Sequence, residues 1–274
     1  MRAGRGFATF GILAANDYGT VMTAFDGFTL VFLSCVGVVI GSFVATLALR
    51  LPVGESIGGR SRCPHCHHVL GVRDLVPLTS WVALGGRCRY CGEAIGVYYP
   101  AVELAALAIA LWAFATDSGW LVWASCGFGW TLLALALIDR RHFILPDVLT
   151  LPLVPAGLAV AWFAVPEAAA LVDNLAGAVG GYLVFFLVAW AYRRWRGRDG
   201  LGAGDAKLLA GLGAWVGASG LPSVVLLAAG LALAAALVGG LRGGRRLSRL
   251  DRVPFGPFLA AAGWLVWLYG PLFG

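Results

Sequence analysis

The chain has 274 residues, 60% of them hydrophobic and only 12% charged, against roughly 25% charged in a soluble domain. That balance excludes an ordinary water-soluble enzyme and marks an integral membrane protein. The formal net charge of +6 would suit nucleic acid, but the basic residues sit in short blocks between apolar runs, so membrane lipid and no nucleic acid is the expected surrounding.

Hydropathy marks eight segments that approach the roughly 20 apolar residues of a bilayer span: 27–49, 100–116, 120–138, 148–165, 173–192, 205–219, 222–241 and 254–272. The 39 glycines suit helices that pack closely in lipid, where small residues let backbones approach. The expected fold is all-α and polytopic, with about eight transmembrane helices and a small cytoplasmic insert between the first and second. Residues 1–26 carry no clear pattern. Met1 to Arg5 is basic, but no small-residue cleavage site follows, so the first apolar run is read as a retained span. The chain then divides into an N-terminal segment with the first helix (1–49), a metal-binding insert (50–99) and a transmembrane core (100–274).

The insert contains Cys63-Pro64-His65-Cys66 and Cys88-Arg89-Tyr90-Cys91, two CxxC pairs with 21 residues between them. Each pair suits a tight turn that aims two thiolates at one ion, and two such turns complete a tetrahedron of the kind zinc occupies. Disulfides are disfavoured on a reducing cytoplasmic face, and so short a segment has little core without a staple. A structural zinc held by Cys63, Cys66, Cys88 and Cys91 is expected, with redox-active pairs as the competing reading. His65, His67 and His68 are read as solvated loop residues, because four thiolates already fill the shell. Cys35 and Cys126 fall inside apolar runs and are expected to be buried, inert thiols.

Basic residues alternate with the spans. They follow the first run (Arg50 to Arg89), the third (Arg140, Arg141), the fifth (Arg193 to Lys207) and the seventh (Arg242 to Arg252), while the turns Thr116–Gly119, Pro166–Asp173 and Ser219–Pro222 hold none. With all eight runs spanning, every basic residue except Arg2 and Arg5 lies on one face, which the positive-inside rule makes cytoplasmic.

That topology puts two aspartates at one membrane face. Asp139 closes the third run, and Asp205, in Gly202-Ala203-Gly204-Asp205, opens the sixth. An ionisable residue at a span is costly and is by default a functional candidate. Two close carboxylates do not both ionise easily, so such a pair can hold one proton between them. The ionised member takes a proton from water while the protonated one donates to a peptide carbonyl: aspartic proteolysis without a covalent intermediate. Taken singly, Asp139 is a helix-end residue beside Arg140 and Arg141, and Asp205 a helix cap beside Lys207. Gly202 and Gly204 let the backbone bend to expose Asp205. Asp147 competes with Asp139, but its place after Pro146 at a helix start is explained by capping. His142 is a conceivable base, more simply a headgroup-level loop histidine. Glu103, after Tyr99-Pro100, is read either as facing the bundle interior to bind a substrate cation or as an arginine partner.

From Gly41 to about Gly263 the chain resembles the bacterial type IV prepilin peptidases, the prepilin leader peptidase/N-methyltransferases. The resemblance rests on Gly41-Ser42-Phe43 with Arg50-Leu51-Pro52, the paired CxxC knuckles, Asp74-Leu75-Val76-Pro77 and Tyr99-Pro100-Ala101-Val102-Glu103. It continues through Ile138-Asp139 to Leu145-Pro146-Asp147, Gly202-Ala203-Gly204-Asp205-Ala206-Lys207-Leu208 and Pro254-Phe255-Gly256-Pro257-Phe258. It implies that Asp139 and Asp205 are the catalytic pair. It further implies that prepilins or pseudopilins of type IV pilus and type II secretion systems are cut after a glycine at the cytoplasmic face of the inner membrane. The new N-terminal amine is then methylated from S-adenosylmethionine, an activity associated with the metal-bearing part. Two places depart from the family, Val44-Ala45 where Asn usually follows Gly-Ser-Phe, and Asp74-Leu75-Val76-Pro77 where Asp-Asn-Ile-Pro is common. Two other classes compete: a non-catalytic assembly factor that docks through the metal insert, and a proton-relaying transporter, which the placement of both carboxylates at one edge disfavours.

Overall fold

A computed structural model of the chain describes residues 24–164, 167–197, 202–243 and 254–273. Arg2, Arg5, Arg198, Arg245, Arg246, Arg249 and Arg252, and with them part of the charge pattern, lie outside the described residues. The long helices are α1 Ala24–Arg50, α3 Tyr98–Thr116, α4 Leu121–His142, α5 Asp147–Ala164, α6 Ala168–Arg196, α7 Ala203–Gly243 and α8 Gly256–Tyr269, with a short α2 Thr79–Ala83 in the insert. Each of the eight apolar segments is helical over most of its described residues. Among the described residues six helices are long and apolar enough to cross a membrane, and α8 is a shorter apolar one. The count of seven long helices against eight segments has one cause: α7 covers the sixth and seventh segments and is broken at Gly217 (φ 74°, ψ 171°).

The chain forms two compact units whose border falls within α4, between Trp130 and Thr131. In the N-terminal unit α1 packs against α3. The seam is made of small residues: a Cβ on Gly41 would lie 2.6 Å from the Glu103 Cα, and one on Gly37 3.2 Å from the Ala110 methyl. With lipid as solvent, such close backbone approach replaces the hydrophobic drive as the source of helix association. Between these helices the insert is held by two turns of the same design. Cys63 N–H bonds the His68 carbonyl and His67 N–H the Cys63 carbonyl; Cys88 N–H bonds Glu93 and Gly92 N–H bonds Cys88. Each turn places the residue after its second cysteine at positive φ, His67 at 56° and Gly92 at 72°. The Trp81 indole lies against Gly86 and donates to the Ile95 carbonyl at 3.1 Å.

In the C-terminal unit α7 is the central element and packs on α5, α6 and α8. A Cβ on Gly213 would run into the Gly177 backbone, one on Gly211 would come within 2.9 Å of the Leu153 Cβ, and one on Gly263 would meet the Leu212 side chain. The break at Gly217 removes helical donors from the carbonyls before it, and Asn174 of α6 replaces them: its Nδ2 donates to Ala214 at 2.7 Å and to Trp215 at 3.4 Å. The Trp215 indole in turn donates to the Leu153 carbonyl at 2.9 Å. Asn174 is 1% exposed, so Asn174→Leu leaves buried carbonyls unpaired, and the expected loss is about 1–3 kcal/mol, read as a lowered unfolding midpoint of the detergent-solubilised protein. The outward side of α6 carries Val172, Leu175, Val179, Leu183, Phe186 and Leu187, all exposed, as a lipid-facing helix surface requires.

Candidate aspartate site and metal centre

The aspartate site is built from the end of α4, the start of α7 and the start of α8. α4 ends in Arg140, Arg141 and His142, cations that complement the helix C-terminus. Phe143, at φ 55°, then turns the chain into Ile144-Leu145-Pro146 and so into α5. One turn before this end lies Asp139, 6% exposed, whose Oδ2 accepts the Gly256 N–H at 2.9 Å. Gly256 is the first residue of α8, so this amide is one of those a helix leaves unpaired, at the end where the dipole favours negative charge. The fit excludes any side chain at Gly256, because a Cβ would stand 2.8 Å from Asp139 Oδ2 and 3.0 Å from its Cγ.

Asp205 sits in the first turn of α7, half-buried, its N–H donating to the Gly202 carbonyl at 3.1 Å. Gly204 lets this turn approach the α4–α5 loop: a Cβ there would lie 2.9 Å from the Leu145 Cβ. Asp139, at the end of α4, and Asp205, at the start of α7, are thus brought to the same place in the unit by the contact of Gly204 with Leu145. Asp147 and Lys207 form an ion pair at 2.6 and 2.8 Å that ties the start of α5 to the start of α7. Both side chains are substantially exposed, so the pair contributes little energy and acts chiefly on register. Asp147, the competitor of Asp139, is thereby occupied by a lysine.

Glu103 lies in the other unit. It is 5% exposed, and its Oε2 accepts the Leu78 N–H at 2.8 Å. No arginine among the described residues pairs with it.

In the insert the four thiols of Cys63, Cys66, Cys88 and Cys91 lie within 4.8 Å of one another, and the Cys63 and Cys91 sulfurs are 3.8 Å apart. Zinc–sulfur bonds of about 2.3 Å in a tetrahedron give sulfur–sulfur edges of roughly 3.8 Å, so the donor set fits such an ion. The N–H groups of Cys66 and His65 aim at Cys63 and lower its thiol to about 6, toward the thiolate that binds metal. None of the three histidines belongs to the cluster; the His68 ring packs on Tyr90, centroids 3.6 Å apart. Cys126 is fully buried, but Cys35 is exposed on α1; periodicity along an apolar run does not tell a lipid-facing position from a core one.

Two residues escaped the sequence reading. Gly256 appeared there only as part of a motif, since its partner lies 117 positions away. Asp74 accepts from Arg89 Nε at 2.7 Å, from the Tyr90 hydroxyl at 3.2 Å and from the Gly71 N–H at 3.1 Å. The Arg89 guanidinium holds its carboxyl below the usual carboxylate range, and the bonds anchor the two residues between Cys88 and Cys91. A polar residue binding the middle of a CxxC turn leaves no trace in spacing.

Residues 35–116 match the family model of the bacterial peptidase A24 N-terminal domain, and residues 126–238 that of the type IV leader peptidase family. The prepilin leader peptidase/N-methyltransferase of Burkholderia pseudomallei is 41% identical, the match covering 90% of this chain and 87% of that protein. The protein of the same name from Pseudomonas aeruginosa is 38% identical over 88% and 91%, and that from Aeromonas hydrophila 43% over 77% and 72%. No solved structure matches the chain. Two family models in tandem, six membrane-length helices and relatives matched over most of their length converge on one assignment: the chain belongs to the type IV leader peptidase family of multi-pass inner-membrane proteins.

Proposed function

We propose that the chain removes the leader peptide from type IV prepilins or pseudopilins and methylates the amine so exposed. The observation that carries the peptidase is the close approach of the turn that presents Asp205 to the loop that follows Asp139, with Gly204 against the Leu145 side chain. With one proton between them, the ionised carboxylate draws a proton from water, the hydroxide attacks the scissile carbonyl, and the protonated partner donates to the carbonyl oxygen. Collapse expels the amine of the mature pilin, which leaves with a proton from the pair. Gly256 holds the Asp139 carboxylate, Gly202 and Gly204 shape the turn that presents Asp205, and the Lys207–Asp147 pair sets α5 against α7. Residues 100–274 form the peptidase core, residues 1–49 the N-terminal segment with its helix.

Residues 50–99 form the metal domain, with zinc as its ion, held by Cys63, Cys66, Cys88 and Cys91 in a structural role. S-adenosylmethionine supplies the methyl group when bound. The arginine-rich segments of the sequence support a cytoplasmic position for this domain and for the aspartates. Cys88→Ser is expected to lower bound metal from one ion per chain to below a tenth of that, and to expose residues 50–99 to limited proteolysis; metal analysis showing an unchanged ion would remove the assignment.

The function is tested by incubating the purified protein in detergent with a prepilin and S-adenosylmethionine. Mass spectrometry reads leader loss and a 14 Da gain, the mass of one methylene, in a single spectrum. An unshortened pilin would overturn the peptidase reading, and a shortened but unmethylated one the transferase reading.

A further inference from the structure

The N-terminal unit holds a partly open cavity of about 350 Å³ between α1, the insert and the start of α3. This is within the range of small-molecule sites, which join apolar walls to a few placed polar groups. Its walls include Phe43, Leu49, Trp81 and Tyr99, and Glu103 lines it as well. Glu103 is 5% exposed and takes one hydrogen bond, from the Leu78 N–H. Leu78 adopts φ 56°, a conformation unfavourable for a branched side chain, and in it the N–H reaches that carboxylate. The two arginines of the cavity wall, Arg50 and Arg62, do not pair with Glu103; Arg50 Nη1 donates to the Gly59 and Ser56 carbonyls at 2.7 and 3.3 Å. A buried carboxylate without a counter-cation is unfavourable, and here it faces a space lined by aromatic rings, which attract cations through their faces.

From this arrangement we infer that the cavity is the binding site of the methyl donor. Glu103 serves as counter-charge to the cationic part of S-adenosylmethionine, and the aromatic wall receives its flat base. The inference rests on the methyl-transfer reading above and adds its place. In the reaction the neutral amine of the cleaved pilin attacks the methyl carbon, a nitrogen–carbon bond forms and the sulfur–carbon bond breaks with its electron pair left on sulfur. The sulfonium becomes a neutral thioether and the amine a secondary ammonium, which releases a proton to water. A carboxylate facing a sulfonium thus favours the donor over the spent product.

Equilibrium dialysis of tritiated S-adenosylmethionine against the purified full-length protein tests this. Glu103→Gln keeps an acceptor for the Leu78 N–H and removes only the charge, and donor affinity is expected to fall about ten-fold or more. Thr46→Trp fills the cavity from α1 and leaves Glu103 itself unsubstituted, and is expected to abolish saturable binding. Bound metal and the unfolding midpoint, compared with the unsubstituted protein, establish that each variant is folded. If the unsubstituted chain binds the donor and methylates a leaderless peptide while both folded variants bind it equally well, the cavity assignment falls and the transferase reading stands. Weakened peptide binding with donor binding intact would assign the cavity to the pilin amine and overturn the proposal in the same way. An unsubstituted protein that neither binds the donor nor methylates the peptide would overturn the transferase reading and this inference together.

Discussion

Asp139→Asn and Asp205→Asn are each expected to reduce leader cleavage by about 10² to 10⁴-fold, the range for a general acid–base group, with the protein folded and inserted. Asparagine is the informative replacement because it preserves shape. At Asp139 its amide oxygen still accepts the Gly256 N–H that the carboxylate accepts at 2.9 Å, so the end of α4 and the start of α8 keep their contact. What disappears is the capacity to take or give a proton. The two substitutions remove members of one proton-sharing unit, so the double variant is expected to be no less active than the worse single one, the non-additivity of residues that act together. Cleavage is measured on a prepilin in detergent, and folding by the unfolding midpoint. Methylation of a peptide already lacking its leader provides a second reference, since the proposed mechanism gives Asp139 and Asp205 no part in that reaction. Full cleavage by either single variant would remove the pair from the mechanism.

Much of this molecule was legible because lipid imposes strong rules. A span must be long, apolar and hydrogen-bonded within itself, so the segment 100–116 foretold Tyr98–Thr116 almost to the residue. The clustering of the four thiols was legible for a similar reason: a tetrahedron of thiolates leaves few spacings, and the two CxxC turns are near copies in their hydrogen bonds. The sixth and seventh segments were separated at Ser219–Pro222, where proline marks a turn, yet the helix continues through Pro222 and breaks at Gly217 instead. Proline is tolerated near the start of a helical stretch, and the break is set by Asn174 and Asp173 of α6, which capture the freed carbonyls and Ser219. No local pattern encodes a capture by a residue some 40 positions distant. Glu103 was read as a cation-binding or arginine-paired residue, but its bond to the insert depends on the conformation of Leu78, which sequence does not display.

Gly256→Ala is expected to lower kcat for leader cleavage by about 100-fold, the scale on which a displacement of roughly 1 Å at a reacting group acts, while KM changes little. The methyl group would have to occupy a point 2.8 Å from Asp139 Oδ2 and 3.2 Å from its Cβ, distances at which something must move. α8 cannot easily retreat, because Leu259, Ala260, Ala262 and Gly263 are packed within the unit and Gly263 fits against Leu212. The end of α4 is held as firmly, with Leu135 and Ile138 fully buried. The carboxylate is therefore the part that yields. It loses the N–H that fixes one oxygen, and turns from the direction that the proposed pairing with Asp205 requires. Overpacking of this kind destabilises by about 1–3 kcal/mol, so the unfolding midpoint also falls, and the kinetics are compared below the temperature at which the variant unfolds. The split between kcat and KM separates positioning from simple destabilisation: a smaller folded fraction scales the amplitude of a single turnover, whereas a misdirected carboxylate slows the turnover itself. A variant whose folded fraction cleaves at the unsubstituted rate would show that the α8 amide only joins two helices and takes no part in directing Asp139.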